Sequence, residues 1–128
     1  MRLMIVGNLE GQLGAATRIA VARGATVTHF EQTLPAFSAL CEGKGADLVM
    51  VAAQEDIAAF IHDLRTERIS VPVIACGIAH DKEAAVRSIQ AGAREYIPLP
   101  PDEELIAAVL EAISQETNAV LHQSQAMA

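Results

Sequence analysis

Short runs rich in strand-forming residues alternate with longer segments of helical period along this chain. These β-rich runs lie at residues 3–6, 26–30, 48–51, 71–76 and 95–97. A segment of helical period separates each run from the next, and a fifth such segment follows the last run. Regular alternation of this kind is typical of βαβ units, in which helices cover a parallel sheet. The pattern therefore predicts five strands and five helices.

The spacing of the apolar residues predicts which parts of these elements are buried. The runs 48–51 and 71–76 are continuously apolar, as expected for central strands covered on both faces. With right-handed crossovers, the units predict an α/β fold with a doubly wound, five-stranded parallel sheet of order 2-1-3-4-5. A ligand crevice would lie at the carboxyl ends of its strands. The third helical segment has one apolar face, formed by Ile57, Phe60, Ile61 and Leu64.

Length and composition are those of one folded domain. The chain has 128 residues, of which 52% are hydrophobic and 20% are charged, so a single core is expected. We assign this domain to residues 1–117. Residues 118–128 are small or polar with no strong period, which is typical of a frayed helix end or of a linker to a separate output domain.

The charge balance and the apolar content exclude several classes of partner. The formal net charge of -7 would repel a phosphate backbone, so direct binding of nucleic acid is not expected. No apolar run approaches the roughly 20 residues that cross a bilayer, and no leader pattern opens the chain. We therefore expect no membrane contact and a cytoplasmic location. Cys41 and Cys76 lie in apolar contexts and are predicted to be buried thiols without a disulfide.

Several segments resemble the receiver domains of bacterial response regulators. The strongest match is residues 90–98, Gln-Ala-Gly-Ala-Arg-Glu-Tyr-Ile-Pro, which is similar to the family's stretch through its fifth strand. Residues 1–7, 45–51, 71–77 and 98–105 resemble a narrower group, the NtrC/FlbD-type regulators that act with sigma-54. The resemblance covers nearly the whole chain and implies the flavodoxin-like or CheY-like receiver fold.

The same resemblance identifies the groups that this chain lacks. In the family, an acidic pair, a phosphate-accepting aspartate, a hydroxyl residue and a lysine hold Mg²⁺ and the phosphoryl group at the strand ends. The Ala52 methyl group has no oxygen with which to form an acyl phosphate, and the matching positions offer Mg²⁺ no carboxylate. We therefore expect a degenerate receiver with no catalytic residue, no metal site and no cofactor. The matching positions hold Gly7, Asn8, Ala52, Gly77 and Leu99.

Neighbouring residues are predicted to have structural roles. Glu10 and Asp56 are the carboxylates nearest to the matching positions, and like Asp81 they precede helical segments, which favours roles at helix N-termini. Tyr96 matches the family's switch aromatic. With Gly77 in place of a hydroxyl residue, nothing is expected to pull this ring inward.

Protein contact is the leading function that the sequence predicts. We expect a pseudo-receiver that works without phosphorylation and controls a sigma-54-dependent flagellar transcription regulator. The resemblance implies a trans-acting partner of the FliX type or an attached ATPase output domain. The expected contact surface, on which a homodimer would also form, consists of Arg87, Gln90, Arg94, Tyr96, Leu99, Ala107, Ala108 and Glu111.

Three alternative interpretations stay open. In the first, the chain is a stand-alone adaptor or sensor, and a small uncharged crevice left by Gly7, Ala52 and Gly77 binds a partner or a small ligand. In the second, the glycine-spaced turn over residues 7–14 belongs to a nucleotide-binding enzyme fragment, although its spacing is not the dinucleotide fingerprint. The third is a thiol or metal site at the end of the fourth strand, formed by Cys76, His80 and Asp81.

Overall fold

The computed structural model describes the backbone of residues 1–127 and the side chains of residues 1–116. These residues form five strands, β1 Arg2–Val6, β2 Thr26–Phe30, β3 Leu48–Ala52, β4 Val73–Ile78 and β5 Glu95–Leu99. The strands alternate there with five helices, α1 Gln12–Ala22, α2 Thr33–Cys41, α3 Ile57–Thr66, α4 Lys82–Ala91 and α5 Glu103–Met127. The predicted alternation is confirmed. The predicted tail at 118–128 lies outside the residues whose side chains are described, so its assignment as a linker stays a prediction.

The described strands form one parallel sheet in the order β2-β1-β3-β4-β5, which confirms the predicted topology. β3 is buried along its whole length, because helices cover both faces of the sheet. β4 begins at Val73, two residues later than the apolar run predicts. The reason is Pro72, which has no N–H to donate to the ladder. β5 is an edge strand, and Pro98 lies within it.

Two apolar clusters cover opposite faces of the sheet. One cluster joins α1 and α5 to the strands, with Leu13 and Ile106 among its buried residues. The other joins α2 and α3 to the strands, with Leu40 among its buried residues. Burial of each large aliphatic or aromatic side chain stabilises the fold by about 1.5–3 kcal/mol. The predicted inner face of α3 is confirmed by the burial of Ile57, Phe60, Ile61 and Leu64.

Among the described helices, α1, α2, α3 and α4 end in the same hydrogen-bonded turn, the Schellman motif. In α3 the N–H of Arg68 donates to the Arg65 carbonyl, and the N–H of Ile69 donates to the Leu64 carbonyl. The motif needs one residue with a left-handed backbone. In α3 this residue is Arg68, with a φ of 58°. In the other three helices it is a glycine, namely Gly24, Gly43 and Gly92.

The two cysteines have different environments. Cys76 in β4 is buried, as predicted, and burial raises the pKa of its thiol to about 12. Cys41 is exposed, since it is the last residue of α2, whose buried side chains are Ala36 and Leu40. The predicted burial of Cys41 is therefore wrong. Its apolar neighbours in the sequence do not determine which side of the helix packs on the sheet.

Candidate functional site

A cavity of about 580 Å³ opens at the carboxyl ends of β1, β3, β4 and β5. Four residues of the predicted degenerate phosphorylation site line it, namely Asn8, Ala52, Gly77 and Leu99. Glu10 is the one charged residue among its described lining residues, so the cavity offers no cation to balance a phosphate. Gln12 and Leu13, from the glycine-spaced turn over residues 7–14, also line it, as do Gln54 and Ile78, which no sequence motif indicated.

Gly7 lies outside the lining of this cavity and is buried. A Cβ atom on it would lie 2.7 Å from the Cβ of Ala52 and 2.9 Å from Cδ2 of Leu13. The Gly7 N–H donates to the Phe30 carbonyl at 2.8 Å, and Nε2 of His29 lies 2.6 Å from the Gly7 carbonyl oxygen. The space at Gly7 is therefore filled by its neighbours, which corrects the expectation that this glycine leaves a crevice.

The carboxylates nearest to the cavity have different roles. Asp56 caps the N-terminus of α3, where its side chain accepts a hydrogen bond of 3.1 Å from the Ala59 N–H, as predicted. Glu10 caps no helix, because the N-cap of α1 is Gly11. A capping role for Glu10 is therefore wrong, whereas its predicted interaction with the helix dipole of α1 stays a prediction. The Asn8 side chain accepts the Glu10 N–H at 2.8 Å, so its amide oxygen already has a partner. Within the described residues, no cluster of three or more His, Cys, Asp or Glu could hold a metal ion.

The ring of Tyr96 lies directly against Gly77. The Tyr96 hydroxyl donates a hydrogen bond of 3.0 Å to the Ile78 carbonyl. A Cβ atom on Gly77 would overlap this hydroxyl and would lie 2.8 Å from the Cβ of Ala53. Burial, with a smaller contribution from the charge of Asp81, raises the pKa of Tyr96. The glycine at the position of the family's hydroxyl residue therefore provides the space that the aromatic ring occupies.

The candidate thiol or metal site at the end of β4 is not assembled in the described structure. Cys76 is buried within the strand, whereas His80 is exposed. Asp81 is the N-cap of α4, and its side chain accepts a hydrogen bond of 3.0 Å from the Ala84 N–H. The predicted capping role of Asp81 is therefore confirmed.

Most residues of the predicted contact surface lie on α4, β5 and α5. Arg94, just before β5, is paired with Glu116 of α5 at 2.5 Å. Arg87 of α4 lines a groove together with Asp56, so it faces α3. The remaining members are exposed or half-buried, namely Gln90, Tyr96, Leu99, Ala107, Ala108 and Glu111.

Two exposed apolar residues of α4 were missed in the sequence analysis. Val86 and Ile89 are three residues apart and are 54% and 48% exposed. The buried positions of this helix are Ala84 and Ser88. The spacing of Val86 and Ile89, which places them on one face of a helix, was the available signal. The sequence alone does not tell whether that face or the face of Ala84 and Ser88 packs on the sheet.

The strand order, the covering helices and the cavity at the strand ends are those of the CheY-like receiver fold. Over 127 residues, the chain is 49% identical to the transcriptional regulatory protein FlbD of Caulobacter vibrioides. The match covers 99% of this chain and 28% of that protein, so the chain spans less than a third of its relative. No family model matches the chain.

Solved structures of response regulators share the fold. The receiver domain of Francisella response regulator 1452 superimposes with a TM-score of 0.71 at 14% identity, over 91% of this chain and 98% of that chain. An atypical orphan response regulator, described as having a phosphorylation-independent regulatory mechanism, gives a TM-score of 0.69 at 23% identity, over 88% and 94%. The predicted receiver fold and the resemblance to FlbD-type receivers are confirmed. The relatives are regulators, in agreement with the expectation of a protein that is not an enzyme.

Membrane-spanning helices need both length and a continuous apolar surface. Among the helices that the structure describes, none combines the two to the degree needed to cross a bilayer.

Proposed function

We propose that this receiver domain regulates transcription through protein contacts and without accepting a phosphoryl group. The observation that carries the proposal is the lining of the carboxyl-end cavity. There, Asn8, Ala52, Gly77 and Leu99 stand where the family has groups that bind Mg²⁺ or phosphoryl oxygens. Gly7, the remaining position of the acidic pair, has no room for a side chain.

The chemistry of these residues supports the proposal. An acyl phosphate needs a carboxylate nucleophile, and Ala52 offers a methyl group. A phosphoryl dianion in the cavity would meet the carboxylate of Glu10 and no lining cation. Tyr96 fills the space beside Gly77 that a side chain at this position would need, so the hydroxyl group that contacts the phosphoryl oxygens in the family has no counterpart here.

The relationship to FlbD supports a role in transcription. From it we infer that residues 1–117 form the receiver domain of a sigma-54-dependent flagellar regulator in the cytoplasm, and that residues 118–128 lead to an ATPase output domain. A trans-acting partner of the FliX type would take the place of a histidine kinase. The domain is not expected to bind nucleic acid directly, because its net charge of -7 would repel a phosphate backbone.

We assign the contact with a partner, or with a second copy, to the surface of α4, β5 and α5. Val86 and Ile89 offer apolar anchors there, each about half exposed. Gln90 and Glu111 are exposed polar residues on the same helices, and the small side chain of Ala108 permits close approach of a partner. An apolar centre with a polar rim is the usual composition of a protein interface.

Amide NMR spectra with Mg²⁺ and beryllofluoride, a mimic of the phosphoryl group, test the phosphorylation-independent part. We expect no change at Gly7, Ala52, Gly77 or Tyr96. A receiver with an intact phosphate-accepting aspartate, measured in the same buffer, provides the positive control. Shifts at these residues that require Mg²⁺ and beryllofluoride together would contradict the proposal.

Transcription from a sigma-54 promoter, in cells that carry the full-length gene, tests the contact surface. Val86→Asp is expected to change transcription several-fold, because it buries a charge in the interface. Val21→Asp is the matched control, since Val21 of α1 is 53% exposed and lies outside the proposed surface. Equal effects of the two substitutions would contradict the assignment of this surface.

A stand-alone sensor or adaptor is the second candidate function. It is favoured by the cavity of about 580 Å³ at the carboxyl ends of the strands, a size that is typical of small-molecule sites. An NMR screen with apolar and cationic fragments tests it, because Glu10 disfavours anions. Saturable shifts at Gln12, Ala52 and Leu99 would support the sensor, and a spectrum that no fragment changes would exclude small ligands of these classes.

A further inference from the structure

A second cavity, of about 340 Å³, lies at the amino end of β4. It is therefore at the end of the strands opposite to the first cavity. Arg65, Arg68 and Arg94 line it. The chain has nine Lys and Arg residues and a net charge of -7, so three of its few cations meet in one place. Guanidinium groups that converge in this way are typical of sites for anions.

Backbone features bring two of these arginines to the cavity. Nη2 of Arg65 lies 2.9 Å from the position that a Cβ atom on Gly92 would occupy, so any larger residue there would displace the guanidinium group. Arg68 has a left-handed backbone, with a φ of 58°, which is strained for a residue with a Cβ atom. The other three helices that end in a Schellman motif have glycine at the equivalent position. Arginine at this position differs from glycine by its charged side chain, and Arg68 lines the cavity.

Two of the three guanidinium groups are available to a ligand. Arg94 is already paired with Glu116. Neither Arg65 nor Arg68 forms an ion pair with any of residues 1–116. The acidic side chains nearest to them in sequence, those of Asp63 and Glu67, are absent from the lining of the cavity, which consists of Arg, Ser, Gly and apolar residues.

The cavity also offers neutral donors and an apolar floor. The backbone N–H groups of Ser70 and Val71 donate to no acceptor among the described residues. The hydroxyl of Ser70 belongs to a lining residue as well. Oxygens of an anion can accept hydrogen bonds from donors of this kind, and an apolar group can pack on the aliphatic floor. That floor is formed by Ile61, Leu64, Ile69, Val71, Pro72 and Val73.

We propose that this cavity binds a carboxylate joined to a short apolar chain, with Arg65 and Arg68 as its charged partners. Arginine binds carboxylates through paired, charge-assisted hydrogen bonds. A monoanion is favoured over a phosphate dianion, because the net charge of the protein repels each additional negative charge. The carboxylate belongs either to a free small acid or to an acidic side chain in a peptide. The site is independent of the proposed function, since it lies at the amino end of β4, whereas the first cavity lies at the carboxyl ends of the strands.

An amide NMR titration of the whole chain with hexanoate tests the proposal. We expect saturable shifts at Ser70, Val71 and Gly92, and none there with hexylammonium. Arg65→Gln and Arg68→Gln should each weaken hexanoate binding by roughly tenfold or more. Arg18→Gln is the matched control, because it removes the charge of an exposed arginine of α1 and should leave binding unchanged.

Comparison of ligands distinguishes the sources of the carboxylate. Tighter binding of the peptide acetyl-Leu-Glu-Leu-amide than of hexanoate would assign the site to a peptide, and the reverse order would assign it to a free acid. Either order supports the proposal. Absence of saturable shifts with hexanoate and with the peptide alike would overturn it. Binding of hexanoate that survives Arg65→Gln and Arg68→Gln, in variants whose spectra show an intact fold, would also overturn it. Inorganic phosphate that binds as tightly as hexanoate would overturn the preference for a carboxylate with an apolar chain.

Discussion

The Tyr96 hydroxyl occupies the space that any Cβ atom on Gly77 would need. The two residues come from neighbouring strands, and the register pairs Ala75 with Tyr96 and Gly77 with Pro98. Because side chains alternate along a strand, this register directs the Tyr96 ring to the face on which residue 77 would carry its side chain. A side chain at residue 77 and the observed position of the ring therefore exclude each other.

Gly77→Ala is expected to destabilise the domain by about 1–3 kcal/mol, because the added methyl group must displace the Tyr96 ring or the neighbouring Ala53. Urea unfolding measures the change in the free energy of unfolding. Tyrosine emission reports the ring directly, since the chain has one tyrosine and no tryptophan. We expect the emission of the folded variant to differ from that of the wild type.

Tyr96→Phe provides the control for this prediction. It removes the hydroxyl but keeps the ring, and alone it should cost about 1 kcal/mol for the lost hydrogen bond to Ile78. In this background, Gly77→Ala should cost less than it does in the wild type, because one overlap has been removed. Equal costs in the two backgrounds would show that the hydroxyl does not compete with a side chain at residue 77.

Asp47 links the loop before β3 to the start of β1. Its carboxylate accepts the backbone N–H of Arg2 at 2.7 Å and the guanidinium group of the same residue at 3.2 Å. The backbone hydrogen bond is the largest of the causes that lower the pKa of Asp47. A lowered pKa in the folded state contributes stability that is present above the unfolded-state pKa and is lost as the pH falls through the folded-state pKa.

Asp47→Asn is therefore expected to lower the free energy of unfolding at neutral pH by about 0.5–1.5 kcal/mol. The difference from the wild type should shrink as the pH falls below about 3.9, the ordinary pKa of aspartate. Urea unfolding at several pH values measures both effects. Glu31→Gln, at an exposed position just after β2, should stay within about 0.5 kcal/mol of the wild type. A deficit of Asp47→Asn that does not change with pH would mean that the charge of Asp47 is not its cause.

Arg68→Gly should stabilise the domain. A left-handed backbone costs about 1–2 kcal/mol for a residue with a Cβ atom, and the greater freedom of glycine in the unfolded chain offsets part of that gain. We expect a net stabilisation of about 0.5–1 kcal/mol, measured by urea unfolding. Arg68→Ala keeps the Cβ atom and should give no such gain.

The opposite substitution is available at the end of α2. Gly43 has a φ of 96°, and a Cβ atom on it would have open space around it, with no atom within 4 Å. Gly43→Ala therefore introduces backbone strain without a clash and should destabilise the domain by about 1 kcal/mol. If Gly43→Ala and Arg68→Gly both left the stability unchanged, the backbone of these two turns would not be strained by a Cβ atom.

Much of the fold could be predicted because its signals are local. The helical spacing from Ile57 to Leu64 defined the buried face of α3, and the aspartates before two helical segments, Asp56 and Asp81, are both N-caps. The errors fall where contacts between elements decide the outcome. Cys41 is exposed because of the side on which α2 packs, and Glu10 leaves the N-cap of α1 to Gly11.

The resemblance predicts which residues stand at the phosphorylation positions, and that assignment stays a prediction. The geometry of the site could not be predicted, because the filled space at Gly7 depends on how α1 and β3 meet. The position of Tyr96 depends on the register of β4 and β5. Nothing in the sequence indicated the basic cavity, because its arginines come from α3, from the turn after α3 and from the turn before β5, and the last of these is distant in the chain. These residues are Arg65, Arg68 and Arg94, respectively.

Pro98 restricts how this domain can assemble with other chains. It lies within β5, at one edge of the sheet, and its ring nitrogen has no hydrogen to donate. An incoming strand could not form an uninterrupted ladder along this edge. Fibril-like growth and β-augmentation by a peptide are thereby opposed on the β5 side, which is also the side of the proposed partner surface. Complexes formed there must be held by side chains and must therefore be selective for the partner's sequence.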